Sequence, residues 1–310
     1  MTCISTDNGS LNDPAIFGEY QNSHQDSACG KDFTLNYTVG SGTEVIWDDN
    51  ITLSGTLVNQ GTFNIQAAGL FEGGLKNEGT LKIAPGTEGD VNFRGGWVNQ
   101  GTFKAENARL HWQGSTRLES GSVELNGVSL KISGHFQESG DDFSVQSSNL
   151  ELSGRTVWMV SRSLTFSKLS LHGNTLLLGD NATELRVSNK LTMDQASDQI
   201  ILGLGSLDLL EGLELQQGYL SVGEGTLDLG GTSLVETEGL LDFSGGNLDL
   251  DSSGTLTVQG TLRMNPSTDL TNASSIQLQN GILEGSGSLV LDQISFGGKS
   301  RIRLLDDTEI

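Results

Sequence analysis

The chain has 310 residues, among them 42 Gly, 3 Pro and 2 Cys, and a formal net charge of −22 at pH 7. That acidity excludes the basic stripe a nucleic-acid binder needs and disfavours an anionic membrane surface. No apolar run reaches the ~18 residues of a membrane-spanning helix, so no membrane insertion of this segment is expected. Gly is about twice its usual ~7% share and falls between short apolar triplets, where it punctuates turns.

Residues 1–44 are polar and irregular, and they are expected to form a cap over the open end of an array. Cys3 and Cys29 both lie here. One disulfide in an oxidising compartment is the expectation, with two free thiols as the alternative.

From about residue 45 short strands recur. Phe63-Asn64-Ile65, Leu81-Lys82-Ile83, Phe103-Lys104-Ala105, Val123-Glu124-Leu125, Phe143-Ser144-Val145, Leu164-Thr165-Phe166 and Leu185-Arg186-Val187 read as one strand per repeat. The series continues through Leu207-Asp208-Leu209, Leu227-Asp228-Leu229, Leu248-Asp249-Leu250 and Thr268-Asp269-Leu270, and is expected to end at Leu289-Val290-Leu291. Two more triplets fall within each later step. Leu213-Glu214-Leu215 aligns with Leu234-Val235-Glu236, Leu256-Thr257-Val258 and Ile276-Gln277-Leu278. Leu220-Ser221-Val222 aligns with Leu241-Asp242-Phe243, Leu262-Arg263-Met264 and Ile282-Leu283.

The early repeats add a second signature. Leu57-Val58-Asn59-Gln60-Gly61-Thr62-Phe63 matches Leu75-Lys76-Asn77-Glu78-Gly79-Thr80-Leu81 and Trp97-Val98-Asn99-Gln100-Gly101-Thr102-Phe103. Asn and Gly are expected in a turn, Asn tolerating a left-handed backbone and Gly accepting positive φ. Stacked Asn59, Asn77 and Asn99 predict an amide ladder.

Strands of three to five residues with alternate residues apolar bury one face. Three of them per lap predict an all-β, right-handed parallel β-helix over residues 45–310, with roughly 13 coils of about 20 residues. A β-propeller is disfavoured, because its blades need about forty residues and antiparallel hairpins.

The Leu-x-Asn-x-Gly-Thr-Phe/Leu units and Leu-Asp-Leu coils resemble the β-helical shafts of large bacterial secreted adhesins, the filamentous-haemagglutinin-like and autotransporter-passenger group. The resemblance covers about residues 45–310 and is architectural. It implies an extracellular or cell-surface location and a cell-surface or matrix partner, with glycan among the candidates. The pattern stops at Ile302-Arg303-Leu304, so a longer polypeptide is expected.

Asp208, Asp228, Asp249 and Asp269 are expected to form one outward column at about 4.8 Å spacing, with Asp251 and Asp242 nearby. Arg186 below and Arg263 beside it would offset the repulsion. The functional expectation for Asp208, Asp228, Asp249, Asp251 and Asp269 is a Ca²⁺-binding face; the plain alternative is a solvated acidic face. Asp249 to Gly254 begins like a calcium loop, but the bidentate Glu that an EF-hand places at its twelfth position is Gly260 here. His24, His111, His135 and His172 are scattered and lack zinc-site spacing. Trp47, Trp97, Trp112 and Trp158 fall on or near strands, so core packing is expected over sugar stacking.

Two functions compete. The first is a non-catalytic extracellular rod segment with an adhesive surface. The alternative is a polysaccharide-active β-helix enzyme or tail-spike-like depolymerase, which needs carboxylates and a basic residue in a loop-built groove. An ice-binding solenoid would need regular Thr columns, and Thr165, Thr192 and Thr257 do not share one phase in the repeat.

Overall fold

The structure is a computed structural model. It describes residues 2–5, 9–10, 19–20, 36–48, 51–83, 90–138, 142–154, 157–160, 162–179, 183–271, 276–286 and 294–305. The expected disulfide between Cys3 and Cys29 and the expected strand at 289–291 lie outside what it describes. The described residues contain no helix. The sheets are parallel and stack as a β-solenoid of about 12 turns, roughly 20 residues apart.

Two compact units, Met1–Asn149 and Leu150–Ile310, make up the chain. In the first unit three ladders run side by side. One carries Asn36–Val39, Leu57–Asn59, Leu75–Asn77, Trp97–Asn99, Thr116–Leu118 and Phe136–Glu138. The second carries Glu44–Trp47, Thr62–Ile65, Thr80–Ile83, Thr102–Glu106, Ser122–Asn126 and Asp142–Gln146. The third carries Ile51–Leu53, Gly69–Phe71, Asp90–Phe93, Arg109–Trp112 and Ser129–Ile132. Each strand hands the chain to the next ladder, so a coil takes three strands.

Alternation decides which face is buried. In Thr80–Ile83, Leu81 and Ile83 are buried while Lys82 is exposed. The core of this unit is aromatic. Phe71 and Phe93 stack at 4.9 Å with 5° between their planes, Trp47 lies 4.8 Å from Phe71, and Trp97 packs 5.2 Å from Trp112. A fully buried large apolar side chain contributes about 1.5–3 kcal/mol, and each of these rings is buried. All four tryptophans are buried, which removes them as sugar platforms, as the strand positions predicted. Gly69 occupies an inward site because a Cβ there would meet the Trp47 ring inside 3.0 Å.

The turn chemistry differs from the expectation. Asn59, Asn77 and Asn99 end their strands and point inward. They are absent from the positive-φ residues, as are Gly61, Gly79 and Gly101. These glycines are required by close approach instead. A Cβ on Gly79 would fall inside 3.0 Å of the Gly61 carbonyl oxygen, and one on Gly101 inside 3.0 Å of that of Gly79. A second such column runs through Gly73, Gly95, Gly114 and Gly134. Left-handed backbone appears at another corner, stacked at Asn107, Gly127 and Ser147 with φ of 49°, 62° and 49°.

In the second unit one ladder holds Leu164–Phe166, Glu184–Val187, Ser206–Leu209, Thr226–Leu229, Asn247–Leu250 and Asp269–Thr271. The series expected to run unbroken from Phe63 to Leu270 is therefore two sheets, one ending at Asp142–Gln146 and one starting at Leu164–Phe166. The strand sequences are alike, so the break leaves no mark in the pattern. The other two ladders share long strands. Leu213–Val222 and Thr232–Phe243 turn the corner without leaving strand conformation. A glycine column at 218, 239, 260 and 281 lies at this corner, and a Cβ on any of the four would meet a neighbouring carbonyl oxygen inside 3.0 Å.

Two registers also need correction. Ser233 and Val235, not Leu234 and Glu236, sit at the inward positions beside Leu256 and Val258. Ser233 tolerates complete burial because its hydroxyl accepts the Leu213 N–H at 3.0 Å. In the next ladder Leu283 and Gly285 align with Leu262 and Met264, one residue later than Ile282-Leu283 suggested.

Candidate functional site

Asp208, Asp228 and Asp249 do stack. Strand Thr226–Leu229 places Asp228 between Asp208 on one neighbour and Asp249 on the other. Leucines on either side of each aspartate point inward and are fully buried, so the carboxylates share the opposite direction. Asp269 leaves the column. It pairs with Asn247, and Thr271 lies beside Asp249. The Asp-Leu doublet at 269–270 imitates the earlier triplets but is shifted by two residues.

The column is less solvated than alternation alone suggests. Asp208 is only 7% exposed. Arg186, one rung away in register, donates from Nε to Asp208 Oδ2 at 2.6 Å. That bond, with the Asp208 charge, raises the Arg186 pKa further above its ordinary value. Asp228 has no such cation to itself. Its Oδ1 is buried without a hydrogen-bond partner. Burial, then the Asp208, Asp251 and Asp249 carboxylates, push its pKa up to about 6, against a smaller opposing pull from Arg186. Asp251 lies past the strand end and is exposed, with Oδ2 3.2 Å from where a Cβ on Gly230 would stand.

Calcium takes six to eight oxygens converging on one centre. A row of side chains leaving one strand face in parallel does not provide that convergence. Among the described residues no group of three or more His, Cys, Asp or Glu side chains could hold a metal ion. The resemblance of residues 249–254 to a calcium loop resolves into the end of Asn247–Leu250 and a tight turn. That turn is closed by Gly254 N–H to Asp251 O at 2.7 Å and leads into Thr255–Val258.

Arg263 belongs to a different column from the one expected. Asp242, Arg263, Glu284 and Arg303 are successive in-register neighbours of alternating sign. Arg263 donates to Glu284 Oε2 from Nη2 at 2.9 Å and to Asp242 Oδ2 from Nη1 at 3.2 Å, and Arg303 bonds Glu284 from the far side. The Glu284 bond is the chief reason the Arg263 pKa is raised. Tyr219 adds its hydroxyl to Asp242 Oδ2 at 2.8 Å. Burial first, and this carboxylate, raise the pKa of Tyr219. Asp242 and Glu284 are under 10% exposed and both are bonded to arginine, which marks the column as structural. Sequence reasoning missed it because opposite charges one repeat apart carry no visible identity.

The amide ladder is present. Asn59 Nδ2 donates to Asn77 Oδ1 at 2.7 Å, and Asn77 Nδ2 to Asn99 Oδ1 at 2.7 Å. The second hydrogens go to the Thr80 and Thr102 carbonyls. All three are fully buried, so the ladder is part of the core and not a contact surface.

The first unit carries an open groove of about 420 Å³ lined by Gly42, Thr43, Glu44, Gln60, Gly61, Thr62, Gly79 and Thr80. It is built by two adjacent columns. Glu44, Thr62, Thr80, Thr102 and Ser122 follow one another in register. Beside them Gln60 Nε2 donates to Glu78 Oε2 at 2.9 Å, and Gln100 Nε2 to Glu119 Oε2 at 2.8 Å. Close glycine packing removes side chains from the floor, and hydroxyl, amide and carboxylate groups line the walls. Among the described residues no histidine lines it: His111 bonds Ser133 and Gln113, and His172 lies 3.9 Å from Glu151. Comparison of the chain with protein-family models, curated proteins and solved structures finds no match.

Proposed function

We propose that this chain is an extracellular structural and adhesive segment, non-catalytic, that holds a flat polar face to a cell-surface or matrix glycan. The observation behind this is the groove in the first unit with its in-register Glu44–Thr62–Thr80–Thr102–Ser122 column. Rungs about 4.8 Å apart repeat the same hydroxyls along the face, a spacing suited to a polymer that repeats its own hydroxyl groups. Glu44 and Gln60 supply an acceptor and an amide to fix orientation. A rigid ladder pre-organises these groups, which lowers the ordering cost of binding. The extracellular setting rests on the likeness of the coils to secreted adhesin shafts.

A glycan array probed with the full chain tests the reading, paired with a reducing-sugar assay on each bound glycan. Binding that the Thr62→Val/Thr80→Val variant loses at least tenfold, with no new reducing ends, is the expected result. Binding that survives those substitutions overturns it.

One observation favours a second reading, a polysaccharide-active enzyme. Asp228, pushed up to about 6, lies between two other aspartates with Arg186 nearby. Carboxylates whose environments separate them can divide acid and base roles. Against it, the turns flanking Ser206–Leu209 are three residues each, 203–205 and 210–212, and build no cleft wall. Release of reducing ends that Asp228→Asn abolishes would establish this alternative.

A further inference from the structure

The two walls of the first-unit groove do not repeat alike. The hydroxyl wall offers a similar group on every rung, at Thr62, Thr80, Thr102 and Ser122. The other wall alternates. Gln60, Glu78, Gln100 and Glu119 each follow one of Asn59, Asn77, Asn99 and Leu118, which are in register on successive strands. Amide, carboxylate, amide and carboxylate therefore succeed one another. The residue two places earlier keeps the same beat: Val58, Lys76, Val98 and Arg117 hold the outward position of those strands. Lys76 pairs with Glu78, and Arg117 Nη2 lies 3.4 Å from Glu119 Oε1. The Lys76 bond, then that of Gln60, holds the Glu78 carboxyl below its ordinary value, so it is ionised at neutral pH. Each Gln donates to the Glu of the next rung. The wall thus consists of two like units, Lys76–Glu78–Gln60 and Arg117–Glu119–Gln100, set two rungs or about 10 Å apart.

We infer that the groove takes an uncharged β-1,4-linked polysaccharide, laid across the strands with one sugar per rung and its two-sugar repeat in phase with the alternating wall. This rests on the glycan reading given above and narrows it to one linkage and one charge class. In an extended β-1,4 chain each sugar is turned over relative to the last, so a given hydroxyl faces the same way only on every second residue. Each residue also advances by close to one rung. A wall that repeats on every second rung therefore meets the same hydroxyls at both of its units, while the uniform hydroxyl wall accepts either orientation. Curved α-1,4 and helical β-1,3 chains lose that phase within a few residues. A carboxylate has about four acceptor positions, so Glu78 and Glu119, each engaged by one cation and one amide, still accept from sugar hydroxyls. The net charge of −22 repels anionic polymers and leaves the uncharged ones.

Hexasaccharides titrated calorimetrically into the full chain test the inference: cellohexaose and chitohexaose for the β-1,4 linkage, maltohexaose for α-1,4 and laminarihexaose for β-1,3. At least one β-1,4 chain should bind tenfold or more tightly than the other two linkages. Within its series, affinity should climb from the dimer to the tetramer, which covers the four rungs, and then level. Glu78→Gln/Glu119→Gln makes the wall all amide and should cut the linkage preference below threefold with an unchanged circular dichroism spectrum. Thr62→Val/Thr80→Val should instead weaken every glycan. Binding without a linkage preference, tighter binding of maltohexaose, laminarihexaose or the anionic β-1,4 chain polymannuronate, or a preference that survives Glu78→Gln/Glu119→Gln would overturn the phase match and leave the broader glycan reading standing. Failure of every glycan to bind would sink both.

Discussion

Replacing Asp228 with Asn removes a charge that its surroundings oppose. The folded-state pKa of about 6 stands above the ordinary carboxyl value of 3.8. The native state therefore binds the extra proton between those values, and stability from this group is fully present below pH 3.8 and lost as pH rises through 6. Asp228→Asn should raise the melting temperature at pH 7, and the gap from wild type should close as pH falls below 6. Melts at half-unit pH steps check this, and a gap that widens towards acid would refute it. Asn77 tests the opposite situation, a buried polar group that is satisfied. Asn77→Ala leaves Asn99 Oδ1 without the donor it has now. Each buried group left unpaired costs ~1–3 kcal/mol, so urea titration should show a loss of about 2 kcal/mol or more.

At the scale of the strand and its turn, glycine is the discriminating residue. Gly79→Ala drives a Cβ into the Gly61 carbonyl, and overpacking of this kind costs ~1–3 kcal/mol. Gly179 has nothing within 4 Å of an added Cβ and no positive φ, so Gly179→Ala should be neutral or stabilising by under about 1 kcal/mol. Equal effects of the two substitutions would mean the carbonyl columns are not tight. The same column shows where sequence could and could not be read. The period of Gly61, Gly79 and Gly101 is visible, but both a left-handed turn and a close approach select glycine, so the residue alone does not say which. Asn59, Asn77 and Asn99 were legible as a ladder because identical side chains in register have one obvious partner. Asp269 was misplaced because a two-residue shift preserves strand parity and so leaves the hydrophobic pattern intact. Ser233 was passed over because a buried serine with a backbone donor looks, in sequence, like a solvent residue. The acidic column was read from its spacing; the bond that pairs Arg186 with Asp208 and leaves Asp228 without its own cation depends on side-chain geometry.

For the molecule as a whole, the core chemistry of the two units differs in a way that spectroscopy can follow. Trp47, Trp97 and Trp112 belong to the first unit and Trp158 to the second, and all are buried. Native emission should be blue-shifted and resist acrylamide quenching, and it should report mainly the unfolding of the first unit. Far-UV circular dichroism follows strands in both units. A native spectrum centred near that of free tryptophan would contradict the packing described above.

The stacked amides have one more implication. Asn77 accepts from Asn59 and donates to Asn99, and the flanking strands repeat the same register. Cutting out residues 75–96 would bring Trp97 onto Leu57 and Asn99 onto Asn59, rejoining surfaces that already match. Such a design can gain or shed whole laps over generations by duplication and loss, so its length is open to selection while its cross-section stays constant.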